Sequence, residues 1–352
     1  MIKRIYIIIP FLTILSVLAI AMLNKAENSS TNRIANGFNR HLITCSLEKK
    51  WKIDPQFNHI AGLDSTAIIL CNNTPGMIKS VNRFSGNSRT VFYKLPYIKK
   101  LNRNFSTFYT NQKLEIVGGN VPILLRLKMN SDSMVFQTYS FKNTFNKYIP
   151  IKHNKFLYGC LDSSLQHREL HIINLQNNFC TSNGKVLNYY STNSDGKLLF
   201  DKSCNEIIYI YFYRNSYLRI DTNLNLLMAC QTIDTFKGRE TKKLVKTGKR
   251  IKRENIIQSA ASNRLSSISN GILYVNSTLK ADNETNTDFD QNGVIDIYKI
   301  SENKYKGSIY IPLHNKKKID DFFVKDNYLY VLFKGELHMY RLNDSTLKLF
   351  QI

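Results

Sequence analysis

A chain of 352 residues is long enough to bury one large core, and its composition of 43% hydrophobic and 12% aromatic residues excludes an intrinsically disordered protein. Its formal charge is +23, from 49 Lys and Arg against 26 Asp and Glu, and so basic a chain favours anionic partners. Because the basic residues are spread along the chain without a nucleic-acid-binding motif, we expect no nucleic-acid partner.

The first residues predict export from the cytoplasm. Lys3 and Arg4 precede an apolar run from Ile5 to Leu23, which is long enough to cross a bilayer as a helix. Small residues from Ala19 to Ala21 also fit a cleavage site, so residues 1–23 are predicted to form either a signal peptide or a signal-anchor helix. In both cases the remainder is expected in the periplasm, or tethered to the inner membrane and facing the periplasm.

The rest of the chain divides into a linker and one domain. Residues 24–40 are polar and rich in Asn and Ser, which predicts a linker. From His41 onward, short strands alternate with polar turns and almost no helical periodicity is present. Residues 41–352 are therefore predicted to form a single all-β domain.

Six similar units follow one another in this domain. Each contains short β-branched or aromatic strands separated by Asn- and Gly-rich turns, and the clearest has strands at Ile207 to Tyr213, Tyr217 to Asp221 and Ala229 to Thr235. The last strand of the third unit is predicted at Val186 to Tyr190, and that of the sixth at Thr346 to Phe350. The units span residues 59–96, 108–141, 149–190, 197–235, 242–312 and 321–350.

Four strands per unit at a period of roughly 40 to 55 residues are typical of a β-propeller, so we predict six blades, with seven as the alternative. His41 to Ile53 would supply the strand that closes the ring against the last blade. Two β-sandwich domains are the alternative architecture, because sandwiches also contain short strands but lack a long-range period.

The six cysteines of an exported chain permit disulfides, and Cys204 with Cys230 is the pair expected first because both belong to the clearest unit. The spacings are irregular and contain no CxxC, which argues against a metal knuckle or a thioredoxin-type pair. Cys71 ends an apolar run and is expected to be a small core residue.

Two polar segments each allow a functional and a plainer interpretation. His167, Glu169 and His171 would project from one face of a strand, where they could begin a two-histidine, one-carboxylate metal site or simply face water. The most basic segment, residues 237–253, is predicted to be either a solvated loop over one blade or a contact surface for an anionic partner or lipid headgroups.

The sharpest local motif begins at Asp288. Side-chain oxygens at Asp288, Asp290, Asn292 and Asp296 have the spacing by which a tight loop wraps a hard cation, so these four residues predict a calcium site. The motif is similar to the calcium loops in the blades of integrin-type propellers. Lys299 stands where an EF-hand has a bidentate Glu, and the same residue types also form ordinary hairpin turns.

No catalytic constellation stands out in the sequence, and no catalytic residue or required cofactor is predicted. The chain has no G-x-S-x-G elbow, P-loop or G-x-G-x-x-G loop, and its single Trp excludes the repeated Trp-docking blades of quinoprotein propellers. Propeller lactonases hold a central metal with Glu, Asn and Asp side chains, for which Glu115, Asn120 and Asp234 are candidates.

The export segment and five short sequences resemble those of exported Bacteroidota proteins that are similar to six-bladed propellers of the TolB or NHL-like kind. The five sequences are YFYRNSYLRIDTNLNLL (211–227), TIDT (232–235), ADNE (281–284), VIDIYKI (294–300) and SIYIPL (308–313). The resemblance covers the chain from about residue 55 to its end and implies a six-bladed propeller of the cell envelope. Its motifs are strand signatures, so it carries over no catalytic residue.

The leading functional hypothesis from the sequence is an exported binding scaffold, tethered or free, that binds an envelope protein, peptide or glycan through its blade loops or its central funnel. One alternative is a hydrolase or lactonase with a metal at the propeller axis, and another is a calcium-stabilised structural module. Carboxylates or amides converging in the funnel would favour the hydrolase, whereas a lining of Tyr, Phe and Lys would favour binding.

Overall fold

The computed structural model describes the greater part of the predicted domain. The described residues are 15–17, 22, 36–95, 101, 105–110, 112–128, 136–152, 154–161, 168–177, 180–183, 186–189, 195–237, 244–247, 250–253, 261–313 and 317–343. The predicted N-terminal hydrophobic helix over residues 1–23 lies almost entirely outside them. Within the described residues, no helix has the length and apolar character needed to cross a membrane.

Six four-stranded antiparallel sheets surround one axis in the described part of the chain, which confirms the predicted all-β propeller with six blades. Blade 1 consists of β2 (His59–Leu63), β3 (Ala67–Cys71), β4 (Met77–Asn82) and β5 (Ser88–Phe92). Blade 2 consists of β6 (Phe105–Thr110), β7 (Lys113–Gly118), β8 (Ile123–Lys128) and β9 (Phe136–Ser140). Blade 3 consists of β10 (Lys147–Pro150), β11 (Lys155–Leu161), β12 (Arg168–Asn174) and β13 (Cys180–Asn183).

The second half of the ring follows the same order. Blade 4 consists of β14 (Gly196–Asp201), β15 (Glu206–Tyr211), β16 (Ser216–Ile220) and β17 (Leu226–Gln231). A hairpin of β18 (Leu244–Thr247) and β19 (Arg250–Arg253) separates it from blade 5. Blade 5 consists of β20 (Asn263–Ser269), β21 (Ile272–Ser277), β22 (Asn292–Lys299) and β23 (Lys304–Pro312), with the short helix α1 (Asn286–Gln291) before β22. Blade 6 consists of β24 (Ile319–Lys325), β25 (Tyr328–Phe333), β26 (Glu336–Leu342) and the N-terminal strand β1 (Cys45–Lys52).

The ring is closed by β1, as the sequence predicted for His41 to Ile53. Strand β1 pairs antiparallel with β26, so that Cys45 lies opposite Leu342 and Lys52 opposite Glu336. Just before β1, the chain also runs along blade 5, where the Ile43 amide donates to the Ser308 carbonyl at 2.8 Å. The N-terminal part of the domain therefore joins blades 5 and 6, and a strand from the start of the chain completes the last blade.

The unbroken apolar run of β15 is explained by burial on both faces. Ile207, Tyr209 and Tyr211 pack with side chains of blade 3, whereas Ile208 and Ile210 pack with side chains of blade 5. All five side chains are at most 1% exposed. A strand between two neighbouring sheets has no solvent face, so its sequence lacks the polar alternation of a half-buried strand.

One predicted strand has a different structure, and another lies outside the described residues. Val186–Tyr189 forms a 3₁₀ turn, and the fourth strand of blade 3 is β13 instead. Val186 and Leu187 are buried in the apolar cluster between blades 3 and 4, so packing between blades explains this apolar run. The strand predicted at 346–350 lies outside the described residues, and β1 occupies the fourth position of blade 6.

Residues 36–40, at the end of the predicted linker, are bound to blade 5. The amides of Asn36 and Gly37 donate to the Asp282 carboxylate at 2.7 and 2.8 Å, and the Arg40 side chain is buried. The chain is therefore anchored to the propeller several residues before β1 begins.

Candidate functional site

The first strands of the six blades enclose a central channel. Around the ring β2 contacts β6 and β24, β14 contacts β10 and β20, and β20 contacts β24. All six strands contribute residues to one cavity of about 470 Å³. Gly62 allows two of these strands to approach closely, because a Cβ atom at this position would collide with the Tyr109 carbonyl oxygen.

A histidine and an aspartate from the two ends of the chain meet in this channel. His59 on β2 and Asp321 on β24 are joined by an ion pair with 2.5 Å between Nδ1 and Oδ2. The Asp321 side chain is only 7% exposed, but that of His59 is 41% exposed. The pair therefore has a buried carboxylate on one side and an imidazole that remains accessible from the channel on the other.

Backbone groups hold the Asp321 carboxylate in place. Oδ2 accepts a hydrogen bond from the Ile60 amide at 2.9 Å, and Oδ1 accepts one from the Phe322 amide at 2.9 Å. Burial alone would raise the pKa of Asp321, but His59, the charge of Lys197 and the Ile60 amide together hold it below the ordinary value of 3.8. The carboxylate is therefore charged at neutral pH and fixes the orientation of the imidazole.

The other two carboxylates in the channel lining accept hydrogen bonds from their own turns and from a neighbouring blade, which for Asp201 is a bond of 2.5 Å from the Gly271 amide. Asp64 accepts from the Thr66 and Ala67 amides at 2.7 and 2.6 Å, and the Tyr109 hydroxyl reaches its other oxygen at 3.1 Å. Asp201 accepts from the Ser203 amide and hydroxyl. Among the described residues, no group of three or more His, Cys, Asp or Glu side chains is placed to hold a metal ion.

Two channel lysines contact carbonyl oxygens. Lys197 Nζ donates to the Ser266 carbonyl at 2.9 Å, and Lys325 Nζ donates to the Leu63 carbonyl at 3.2 Å. A carbonyl carries no formal charge, so neither contact is an ion pair, although the Asp321 carboxylate lies close enough to interact with the charge of Lys197. Ser266 also belongs to the lining, but its hydroxyl is buried and has no hydrogen-bond partner among the described residues.

The chemistry of the lining is therefore mixed. Aromatic side chains lie beside the cationic and hydroxyl groups, and this combination suits a ligand with both an apolar part and a hydrogen-bond-accepting or anionic group. The aromatic members of the lining are Phe108, Tyr109, Phe200, Phe322 and Phe323. A cavity of this volume falls within the usual range for small-ligand sites.

The four residues of the predicted calcium site lie on a short helix and on the strand that follows it, and they do not form one tight loop. Asp288 and Asp290 lie on α1 and are exposed, and the Asp288 side chain accepts from the Thr285 hydroxyl at 2.5 Å. Asn292 begins β22 and donates to the Asp288 carbonyl at 2.7 Å. Asp296 is buried further along β22, where Arg40 and Ser308 occupy its oxygens. Calcium binding stays a prediction.

The residues considered for an axial metal also lie away from the channel lining. Glu115 is buried on β7, the second strand of its blade, and pairs with Arg126 at 2.6 Å. Asn120 is an exposed turn residue, and Asp234 accepts from the Thr232 hydroxyl at 2.6 Å. None of these three candidates belongs to the channel lining.

The remaining predicted features have mixed outcomes. His167 lies outside the described residues, whereas Glu169 and His171 share one face of β12, as predicted. In the basic segment 237–253 the described backbone includes the β18–β19 hairpin.

All six cysteines are unbonded, so the expected Cys204–Cys230 disulfide is wrong. Cys204 is exposed in the turn before β15, while Cys230 is buried on β17, two strands away.

The sequence did not single out His59, Asp321 or Lys197. Each lies on the first strand of a blade, and the only sequence feature that could have indicated it is a polar residue at the start of a repeat unit. That signal becomes informative only once the blade number and the closure of the ring are known.

Comparison with known proteins supports the fold. No protein-family model and no curated protein sequence matches this chain. A solved member of the DUF4221 family from Bacteroides vulgatus is 10% identical, with 87% of this chain and 99% of that chain covered and a TM-score of 0.53. A catalytically inactive variant of virginiamycin B lyase from Staphylococcus aureus, solved with quinupristin, is 9% identical, with 85% and 100% covered and a TM-score of 0.51. At the level of the fold, the predicted resemblance to six-bladed propellers, including those of Bacteroidota, is confirmed.

Proposed function

We propose that this protein is a binding propeller whose central channel holds a peptide or glycan ligand with an acidic group. The observation that supports this most strongly is the accessible His59 imidazole, which a buried, backbone-held Asp321 keeps in position inside a cavity of about 470 Å³. A side chain fixed in this way is pre-organised, so it loses little conformational entropy when it binds a ligand.

The charges of the channel give the ligand its chemical class. Lys197 and Lys325 supply ammonium groups that each donate to one carbonyl oxygen and carry further N–H donors. The carboxylates of the lining already accept hydrogen bonds from their own turns or from His59. A ligand carboxylate would therefore meet free donors, whereas a ligand cation would meet oxygens that are already engaged.

The expected location follows from the export segment. Lys3, Arg4 and the apolar run to Leu23 favour delivery to the periplasm, with or without a retained anchor. In that compartment we expect the ligand to belong to an envelope protein or to an envelope glycan.

The test is a binding screen on arrays of peptides and acidic oligosaccharides. The wild-type propeller domain would be compared with a Lys197→Ala/Lys325→Ala variant and with Lys304→Ala, which removes an exposed lysine from the outermost strand of blade 5. We expect the channel variant to lose at least about tenfold in affinity, in line with two lost charge-assisted contacts, and the control to bind like the wild type. Binding that falls equally in both variants would reflect net charge alone and would contradict a channel site.

Catalysis is a second candidate, and the His59–Asp321 pair is the observation that favours it. A carboxylate on Nδ1 leaves Nε2 of a neutral imidazole free to accept a proton, which is the arrangement of a general base. The metal-dependent hydrolase or lactonase predicted as an alternative would need further ligands beside this pair. Turnover of a lactone or ester that is lost in His59→Ala, with no retained ligand in the wild type, would favour the enzyme over the binding protein.

A further inference from the structure

A cysteine, a histidine and a glutamate are lined up on the outer half of blade 3, on the far side of the blade from the channel. Cys180 is on β13, the outermost strand, and His171 and Glu169 are on the neighbouring strand β12. The Cys180 Sγ atom lies 3.8 Å from His171 Nδ1, and His171 Nε2 lies 3.3 Å from Glu169 Oε2. The second distance is a close contact between a ring nitrogen and a carboxylate oxygen, without the alignment of a hydrogen bond.

The imidazole is held in place while the thiol is accessible. The His171 ring stacks on Tyr158 with 5.0 Å between the ring centroids and an interplanar angle of 10°, and its side chain is 12% exposed. Cys180 itself is exposed. Burial lowers the pKa of His171, although Glu169 opposes this shift, so the ring is predominantly neutral at neutral pH and can accept a proton.

The other cysteines differ from Cys180 in burial or in surroundings. Cys71, Cys160 and Cys230 are buried, and Cys45 is partly buried. Cys204 is exposed like Cys180, but its contacts in the described structure are the Ser203 hydroxyl at 3.6 Å and the backbone near Gly271, with no imidazole among them. The chain thus provides an exposed thiol beside a base and an exposed thiol without one.

We propose that Cys180 is a reactive thiol, with His171 as its base and Glu169 as the group that orients the base, and that it forms mixed disulfides with small disulfide molecules. In this reaction His171 takes the thiol proton and the Cys180 thiolate attacks one sulfur of the disulfide. The disulfide bond breaks as the new sulfur–sulfur bond forms, and the departing thiolate receives the proton from His171. One disulfide and one thiol are consumed, and one mixed disulfide and one thiol are produced.

This site is independent of the ligand site in the channel. It uses residues of the third and fourth strands of blade 3, whereas the channel is lined by the first strands. A protein exported to an oxidising compartment would meet disulfides of this class there, and the mixed disulfide would change the outer surface of the blade.

The test uses the fully reduced protein, oxidised glutathione as the disulfide, and peptide mass spectrometry to follow each cysteine separately. We expect Cys180 to react about three to ten times faster than Cys204, because the neighbouring imidazole can take the thiol proton as the sulfur attacks. Cys204 serves as the internal reference for exposure and for folding.

His171→Phe is the decisive variant, since it keeps an aromatic ring to stack on Tyr158 but removes the base. We expect Cys180 to slow to the rate of Cys204, which itself stays unchanged, and Glu169→Gln to produce a smaller decrease. Iodoacetamide alkylates a thiol directly, without a disulfide, and we expect it too to react faster with Cys180 than with Cys204 in the wild type. Equal rates for the two cysteines in the wild type, or an unchanged Cys180 rate in His171→Phe, would overturn the proposal.

Discussion

Two sets of paired acidic and basic side chains in the propeller differ in their exposure to solvent. The Arg40 guanidinium lies between Asp296 and Glu284, with contacts of 2.8 to 3.1 Å, and all three side chains are at most 4% exposed. The His59–Asp321 pair also has a buried carboxylate, but its imidazole is 41% exposed in the channel. Arg40, Asp296 and Glu284 therefore form a closed cluster that solvent does not reach, whereas His59 and Asp321 form an open pair whose imidazole is accessible.

This difference separates a structural role from a binding role. The remaining donors of Arg40 are used by the Ser277 hydroxyl and the Leu279 carbonyl, so the cluster has no capacity left for a ligand, and it fastens the N-terminal segment to blade 5. In the channel pair, Nδ1 is the only ring nitrogen of His59 that has a partner within the described part of the chain. We therefore expect mutations in the closed cluster to affect stability, and mutations of the exposed histidine in the open pair to affect binding.

The largest expected effect is that of Arg40→Met. Removing the guanidinium leaves Asp296 and Glu284 buried without their counterion, which typically lowers the free energy of unfolding by about 3–5 kcal/mol. Chemical denaturation of the wild type and the variant at pH 7 measures this loss.

The matched control is Arg341→Met, because Arg341 is 55% exposed and lies 3.8 Å from Glu48. An exposed pair of this kind contributes about 0.5 kcal/mol or less. Equal losses in the two variants would contradict a structural role specific to the buried cluster.

Asp321→Asn is expected to have an intermediate effect that depends on pH. Because the pKa of Asp321 in the folded protein lies below 3.8, the stability that its charge contributes is fully present above that value and is lost as the pH falls further. We expect the variant to lose about 2 kcal/mol at pH 7, typical of hydrogen bonds to a charged group.

The difference between wild type and Asp321→Asn should shrink as the pH falls below 3.8, which denaturation curves at several pH values would show. A constant difference across this range would mean that the loss arises from packing and not from the charge of the carboxylate.

Calcium binding at the loop predicted from the sequence is expected to have the smallest effect on stability. Asp296 is already bound by Arg40 and Ser308, which leaves Asp288, Asp290 and Asn292, and calcium usually takes six to eight oxygen ligands. We expect millimolar calcium to raise the thermal midpoint by about 1 °C or less, as for a site that is only partly filled. Asp288→Ala/Asp290→Ala should abolish that rise. A rise of several degrees that the double variant abolishes would show that the loop rearranges around the ion.

The fold could be predicted from the sequence because the strand and turn patterns that indicate it are formed by residues close together in the chain. The strands of blade 4 were recognisable from Ile207 and Tyr209 onward, and the repeat period gave the blade number. The closing strand was also predicted, as an extra strand at His41 to Ile53 that pairs with the last blade.

The candidate site could not be predicted in the same way, because its contacts join distant parts of the chain. His59 and Asp321 meet only because the first and last blades are neighbours in the closed ring. For the same reason local spacing could not reveal the contact of Asp296 with Arg40, which lies near the other end of the chain.

The most direct test of the central claim is to measure affinity and stability together in His59→Gln. The variant keeps a polar side chain in the channel but has no imidazole, and the ligand is the strongest binder from the peptide and glycan arrays. We predict that the affinity falls at least about tenfold while the free energy of unfolding changes by less than about 1 kcal/mol. Unchanged affinity in a stably folded His59→Gln protein would contradict the assignment of the open pair to ligand binding.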